Sequence, residues 1–251
     1  GGMDMGGSEP TASGMSAMDM GGAQPAAPAM SGMDHGSMDM SAGAPSGDAP
    51  AAPSEAPMAM SMGEMDMSMR NPANAPQVRM GPGVQTIAPM PVDRLGDPGQ
   101  GLENVGHRVL TYRDLVALER NPDVRAPSRS LEIHLTGNME RFMWAFDGVQ
   151  FSEVTVPIPF RTGERVRVTL VNDSMMSHPI HIHGHFFEVL TGPEEFRPRK
   201  HTINVLPGGK VTYDITTDAP GDWAFHCHLL YHMHAGMFRA VSVRSLSGGD
   251  A

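Results

Sequence analysis

The sequence predicts an all-β fold, a Greek-key β-sandwich preceded by a disordered Met-rich segment, and three observations carry that prediction. From Arg129 onward, short runs rich in β-branched and aromatic residues alternate with turn signals. From Gly1 to Gln77 there is no Leu, Ile, Val, Phe, Tyr, Trp or Cys, so no large side chain offsets the entropy of ordering and no core is expected before Val78. Charge divides the same way: residues 1–77 carry nine Asp/Glu against Arg70 alone, a net of −8 out of −10 for the 251-residue chain. The remainder is nearly neutral, which argues against a nucleic-acid binder. No run of eighteen apolar residues marks a membrane span. Gly1 opens neither on a start Met nor on a basic-then-apolar signal, so the chain reads as a fragment or a processed product.

Taken in order, residues 1–77 form a Met/Gly/Ala/Pro-rich stretch in which Met-Asp-Met recurs at Met3–Met5, Met18–Met20, Met38–Met40 and Met65–Met67. Fifteen of the 23 methionines fall before Arg70. Such a stretch serves as a flexible linker. Alternatively, its soft thioethers collect Cu(I) on a tether, with carboxylates and His35 available to Cu(II). Residues 78–124 read as a linker or interdomain transition, Gly/Pro-rich to Gln100, with a short helix or turn at 112–119 that Asn121-Pro122 ends. Residues 125–245 hold the sandwich, with strands predicted at 130–135, 141–146, 154–157, 165–171, 180–190, 201–205, 210–216, 221–228 and 238–243. Asp147-Gly148, Thr162-Gly163, Pro207-Gly208-Gly209 and Ala219-Pro220-Gly221 supply turns between them. Residues 246–251 form a tail.

The chemistry-bearing residues concentrate in two clusters, His178-Pro179-Ile180-His181-Ile182-His183-Gly184-His185 and His226-Cys227-His228-Leu229-Leu230-Tyr231-His232-Met233-His234-Ala235-Gly236-Met237. Alternate side chains of a strand share a face, so His226 and His228 point one way and Cys227 the other. One strand can then serve two metal sites. On the Cys227 side the chain must turn back for His232 and Met237 to reach the thiol, and Ala235-Gly236 permits a tight return. With His178 the set is two imidazoles, one thiolate and one thioether, the donors of a blue-copper site. On the opposite face His181, His183, His226 and His228 offer nitrogen only, which suits a second copper cluster. Zinc competes for any His/Cys cluster, but structural zinc sites generally use Cys pairs or a paired His spacing closing one tetrahedron, and a single Cys with an axial-type Met argues against it. A lone cysteine also rules out an internal disulfide framework. His35, His107, His134 and His201 look isolated and are expected not to be ligands. His185 and His234 lie near the sites without a ligand position.

The motifs H-P-x-H-x-H-G-H (His178 to His185) and H-C-H-x-x-x-H-x-x-x-G-M (His226 to Met237) resemble the two C-terminal copper motifs of multicopper oxidases. More narrowly, the stretches His107 to Leu115 and Leu135 to Arg141, behind a Met-rich tract, are similar to the copper-resistance protein A subfamily. The resemblance implies a cupredoxin-like sandwich in which His178, Cys227, His232 and Met237 hold type 1 copper, His181 is a type 2 ligand, and His183, His226 and His228 bind the type 3 pair. It implies that electrons from Cu(I) or phenols pass through Cys227, His226 and His228, and that O2 is reduced to water. The family's trinuclear cluster takes eight histidines, four of them from an N-terminal domain, and no H-x-H motif precedes His178. The resemblance therefore implies the C-terminal part of a longer three-domain oxidase, partnered by N-terminal cupredoxin domains, in the periplasm. Met233 and His234 follow His232 where some relatives carry an acid, so no proton donor is assigned. Two other readings are a copper-binding or electron-transfer protein without oxygen chemistry and, more weakly, a copper nitrite reductase, against which the H-x-H pair and the H-C-H triplet argue.

Overall fold

In a computed structural model, residues 69–245 are described; the Met-rich expectation over 1–68, His35 within it, and the tail lie outside the described residues. The strands, in chain order, are β1 (Val92–Asp93), β2 (Arg129–Asn138), β3 (Met143–Phe146), β4 (Ile158–Arg161), β5 (Glu164–Asn172) and β6 (His178–Ile182). There follow β7 (Phe187–Val189), β8 (Arg199–Lys200), β9 (Thr202–Val205), β10 (Gly209–Thr217), β11 (Gly221–Cys227) and β12 (Phe238–Arg244). The α-helix among the described residues is α1 (Leu230–His234), between β11 and β12.

One sheet runs β3-β2-β5-β10-β7-β8 with β1 added parallel to β10, and the other runs β4-β12-β11-β6-β9. Spatial neighbours such as β5 and β10, or β6 and β11, are far apart in sequence, the crossovers of a Greek-key, cupredoxin-like sandwich. Alternation supplies the core: Val166, Val168 and Leu170 of β5 meet Val211, Tyr213 and Ile215 of β10, and all six are buried. Phe187 stacks on Tyr213 at 4.1 Å and Phe146 on Phe225 at 5.0 Å between centroids. Each such side chain contributes about 1.5–3 kcal/mol on burial.

The differences from the predicted elements have local causes. The residues predicted as a strand at 154–157 are irregular, following a 3-10 turn at Phe151–Glu153, and β4 starts at Ile158 on the sheet edge, where Pro159 forfeits no ladder bond of a central strand. The run at 180–190 divides into β6 and β7 because Gly184 turns the chain at φ +71. A Cβ there would lie 2.5 Å from the Trp223 ring. The packed chain also begins ahead of Val78: Ala75 is fully buried with Val78, Val84 and Ile87, held by a turn at Pro72–Asn74. Residues beyond it lie along the sandwich, with Arg79 N–H donating to Asp147 O, Gln85 N–H to Gly137 O and Ala88 N–H to Asp173 Oδ1. Leu95 enters the main core and the Tyr112 hydroxyl accepts from Asn204 N–H. No helix among the described residues is long and apolar enough to cross a membrane.

Candidate metal centre

β11 ends on His226 and Cys227, neighbours that alternation sends to opposite faces. Its antiparallel partner β6 places Ile180 across from Cys227 and His181 across from His226. On β6, His178, Ile180 and Ile182 are buried on the core side, while His181 is only half-buried. Two adjacent strands thus each send one donor inward and one outward, His178 and His181 from β6 and Cys227 and His226 from β11. β11 then hands over to α1, whose single turn carries His232 back over Cys227. Met237 N–H donates to His232 O, and Cys227 N–H to Met237 O, closing the loop. Gly236, at φ +123, makes this return possible, since a Cβ there would sit 2.8 Å from the Trp144 carbonyl and from Gln150.

The inner set is closed. Cys227 Sγ lies 3.7 Å from Nδ1 of His178 and 3.7 Å from Nδ1 of His232, and the two nitrogens are 3.1 Å apart. A point in that triangle is about 2 Å from all three atoms, the length of a transition-metal bond to nitrogen or sulfur. Cys227, His178 and Met237 are fully buried and His232 nearly so. Burial, then the neighbouring His232, lowers the His178 pKa to about 3, and burial lowers that of His232, so both imidazoles keep a free lone pair at neutral pH. Burial raises the Cys227 thiol to about 11, only partly offset by the Leu229 N–H. A bound cation would have to displace that proton. Each ring is held from behind. Ser174 Oγ lies 2.6 Å from His178 Nε2, which leaves Nδ1 for the centre, and the Trp144 indole stacks on His232 at 4.3 Å and 17°.

The outer set is open. His183 Nε2 and His226 Nε2 are 3.2 Å apart, and His181 joins them with ring centroids 4.8 Å and 5.5 Å away. His228 stands 5.4 Å from the His181 ring and 5.7 Å from that of His226. His183 and His228 are exposed. His226 Nδ1 donates to Cys227 O at 3.0 Å and His181 Nδ1 to His201 O at 2.7 Å, so in both rings Nε2 is the free donor atom. Burial lowers the pKa of both, which keeps them neutral.

Six of the eight residues expected as ligands form two converging triads. His178, Cys227 and His232 converge, with Met237 buried beside them, and His181, His183 and His226 converge, with His228 at the margin. His107 and His234 are exposed, and His134, expected to be isolated, is buried against Asp173 and Glu132. His185 is buried with Nδ1 3.2 Å from His183 O and its ring edge-on to Trp223. His201 is not isolated as expected, because β6 and β9 pair His181 with Thr202 and bring the His201 ring to 5.0 Å from His181. Ser174 and Trp144 were missed, since only strand neighbourhood sets them against His178 and His232. The donor sets, one of sulfur with nitrogen and one of nitrogen alone, fit copper.

A family model described as multicopper oxidase matches residues 125–247, from just ahead of β2 to just past β12. Residues 125–247 form a multicopper oxidase domain. Over 162 residues the chain is 53% identical to copper resistance protein A of Pseudomonas syringae pv. tomato, covering 64% of this chain and 26% of that protein. Over 150 residues it is 53% identical to copper resistance protein A of Escherichia coli, covering 60% of this chain and 25% of that one. A solved multicopper oxidase, McoA of the hyperthermophile Aquifex aeolicus, aligns with TM-score 0.43 and 26% identity over 50% of this chain and 31% of that chain. The multicopper oxidase domain and its flanks thus span about a quarter of the length of these curated relatives.

Proposed function

We propose that this chain supplies the C-terminal cupredoxin domain, residues 125–245, of a periplasmic copper-resistance multicopper oxidase. In this reading His178, Cys227, His232 and Met237 hold type 1 copper, His181 is a type 2 ligand, and His183, His226 and His228 hold their share of the type 3 pair. The observation that carries it is the peptide continuity of His226, Cys227 and His228: two donor sets of different chemistry sit on opposite faces of one strand end, a few covalent bonds apart. Bound copper would supply one-electron redox chemistry, taking electrons from Cu(I) or phenols and reducing O2 to two waters.

The residues of this chain divide that work. The buried inner set excludes water and imposes its geometry through Ser174, Trp144 and α1. The outer set, open at His183 and His228, leaves room for histidines of a preceding N-terminal domain. The Met-rich tract over 1–77 would deliver Cu(I), with 78–124 linking it to the sandwich. The 53% identity to copper resistance proteins favours Cu(I) as reductant. The half-open outer set favours a second reading for the chain by itself: copper binding and electron transfer without oxidase activity.

The test is the visible and EPR spectrum of the copper-loaded chain with copper counted, beside Cys227→Ser. An intense blue band with a narrow type 1 signal, lost in the variant, is the expected result. A colourless protein whose copper content ignores the substitution would overturn the type 1 assignment. Oxygen uptake separates the two readings, because reduction to water needs the complete cluster.

A further inference from the structure

The inner donors are nearly closed to solvent: His178, Cys227 and Met237 are 0% exposed and His232 3%. A bulky reductant therefore meets little ligand surface, and an electron has a second path through whatever covers the ligands. Over His232 that cover is aromatic. The Trp144 indole, 2% exposed, lies face to face with the imidazole at 4.3 Å, and Tyr231, 60% exposed, meets the indole edge-on at 5.6 Å. Phe142, also 60% exposed, lies 6.2 Å from Tyr231 and 6.5 Å from Trp144.

Packing alone explains this stack poorly. The Trp144 Nε1–H is buried with no hydrogen-bond partner, a loss of about 1–3 kcal/mol that a Phe in the same slot would avoid. The strand opposite gives way to the indole: Gly137 of β2 pairs with Trp144, and a Cβ on it would come within 2.9 Å of the ring. Phe142 holds the left-handed conformation at φ 53, which costs a non-glycine residue about 1 kcal/mol or more. Three unfavourable local features thus maintain one continuous run of π-systems from solvent to His232.

We propose that Trp144, reached through Tyr231, is the relay by which one-electron reductants of the hydroquinone class pass electrons to His232. The inference rests on the proposed type 1 site. A hydroquinone at the Tyr231 surface would give up one electron and one proton, the proton to water, and leave as its one-electron-oxidised radical. The electron would pass through the indole, with no lasting change in the ring, to the Cu(II) that His178, Cys227 and His232 would hold, which would become Cu(I). Trp144 is in this sense a positioning residue for electronic coupling.

The test is stopped-flow reduction of the copper-loaded full chain by hydroquinone, followed at the blue band, for the wild type, Trp144→Phe and Trp144→Leu. Trp144→Leu should slow reduction about tenfold, equivalent to about 1.4 kcal/mol, beyond what any accompanying change in midpoint potential accounts for. Trp144→Phe, which keeps a ring on His232, should retain most of the rate. Fluorescence adds a readout independent of turnover: the emission lost between wild type and Trp144→Phe should be the part that copper loading quenches. A Trp144→Leu chain reduced as fast as the wild type overturns the relay. Equal slowing in both variants with a shifted band also overturns it, because it marks the indole as packing. A wild type that binds copper without a blue band overturns the type 1 reading and the relay with it, and is told apart from the other failures before any rate is measured.

Discussion

The two faces of β11 carry donor sets built on opposite plans. The inner set is enclosed, its rings backed by Ser174 and Trp144, and its donor atoms stand 3.1–3.7 Å apart. The outer set has comparable spacing between His183 and His226 but leaves His183 and His228 in solvent. The difference teaches that enclosure, rather than the count of imidazoles, decides which site the chain completes from its own residues. Burial inside holds imidazoles neutral and spaced before a metal arrives, whereas an open set needs further ligands to fix its geometry.

The comparison breaks most sharply at Cys227. Cys227→Ser should remove the inner copper and the blue colour entirely while the outer histidines keep their affinity, read as copper per chain and EPR signal. Next in size is Gly236→Ala. Its Cβ would meet the Trp144 carbonyl at 2.8 Å in a left-handed conformation, so a loss of about 2 kcal/mol or more in chemical denaturation is expected, with inner copper released before outer.

Acid sharpens the contrast in the metal-free protein. The folded pKa of His178 is pushed down to about 3, so the unfolded chain binds more protons between that value and the ordinary imidazole value of 6.5. Its contribution to stability is complete above pH 6.5 and is lost as pH falls towards 3, with a slope of about 1.4 kcal/mol per pH unit for one proton. His134 runs the other way. Burial lowers its pKa, but the Asp173 and Glu132 carboxylates outweigh burial and raise it, so its contribution is present below pH 6.5 and fades as pH rises. Denaturation midpoints of His178→Leu and His134→Gln against pH should show slopes changed in opposite senses. Equal slopes in both would contradict the burial of His178.

The smallest expected effect is at Ser174. Ser174→Ala removes one hydrogen bond to His178 and should lower metal-free stability by about 1 kcal/mol while shifting the blue band, leaving outer-site copper unchanged.

Much of this contrast was legible in the sequence because strand alternation is a local rule. His226, Cys227 and His228 announce two faces by their order alone, and His178 differs in parity from His181 and His183. What stayed hidden depends on which strands become neighbours. His201 looked isolated until β9 paired with β6, and Trp144 is unremarkable in sequence until β3 lies under α1. The division of 180–190 at Gly184 depends on Trp223 from β11, forty residues away in the chain by about that order. Ala75 was passed over because it is small, and its burial comes from Val78, Val84 and Ile87 folding over it.

The pairing of Cys227 with Ile180 and His226 with His181 makes this strand end behave as a reading frame. Inserting a single residue just before His226 would turn the side chains at the end of β11 to the opposite face, so that an imidazole would enter the core and the thiol would point at the histidines. Composition would be almost untouched, yet the two donor sets would exchange members. Length changes in this lineage should therefore be excluded from the end of β11 and tolerated in turns such as Thr162-Gly163, where added residues alter no strand's parity.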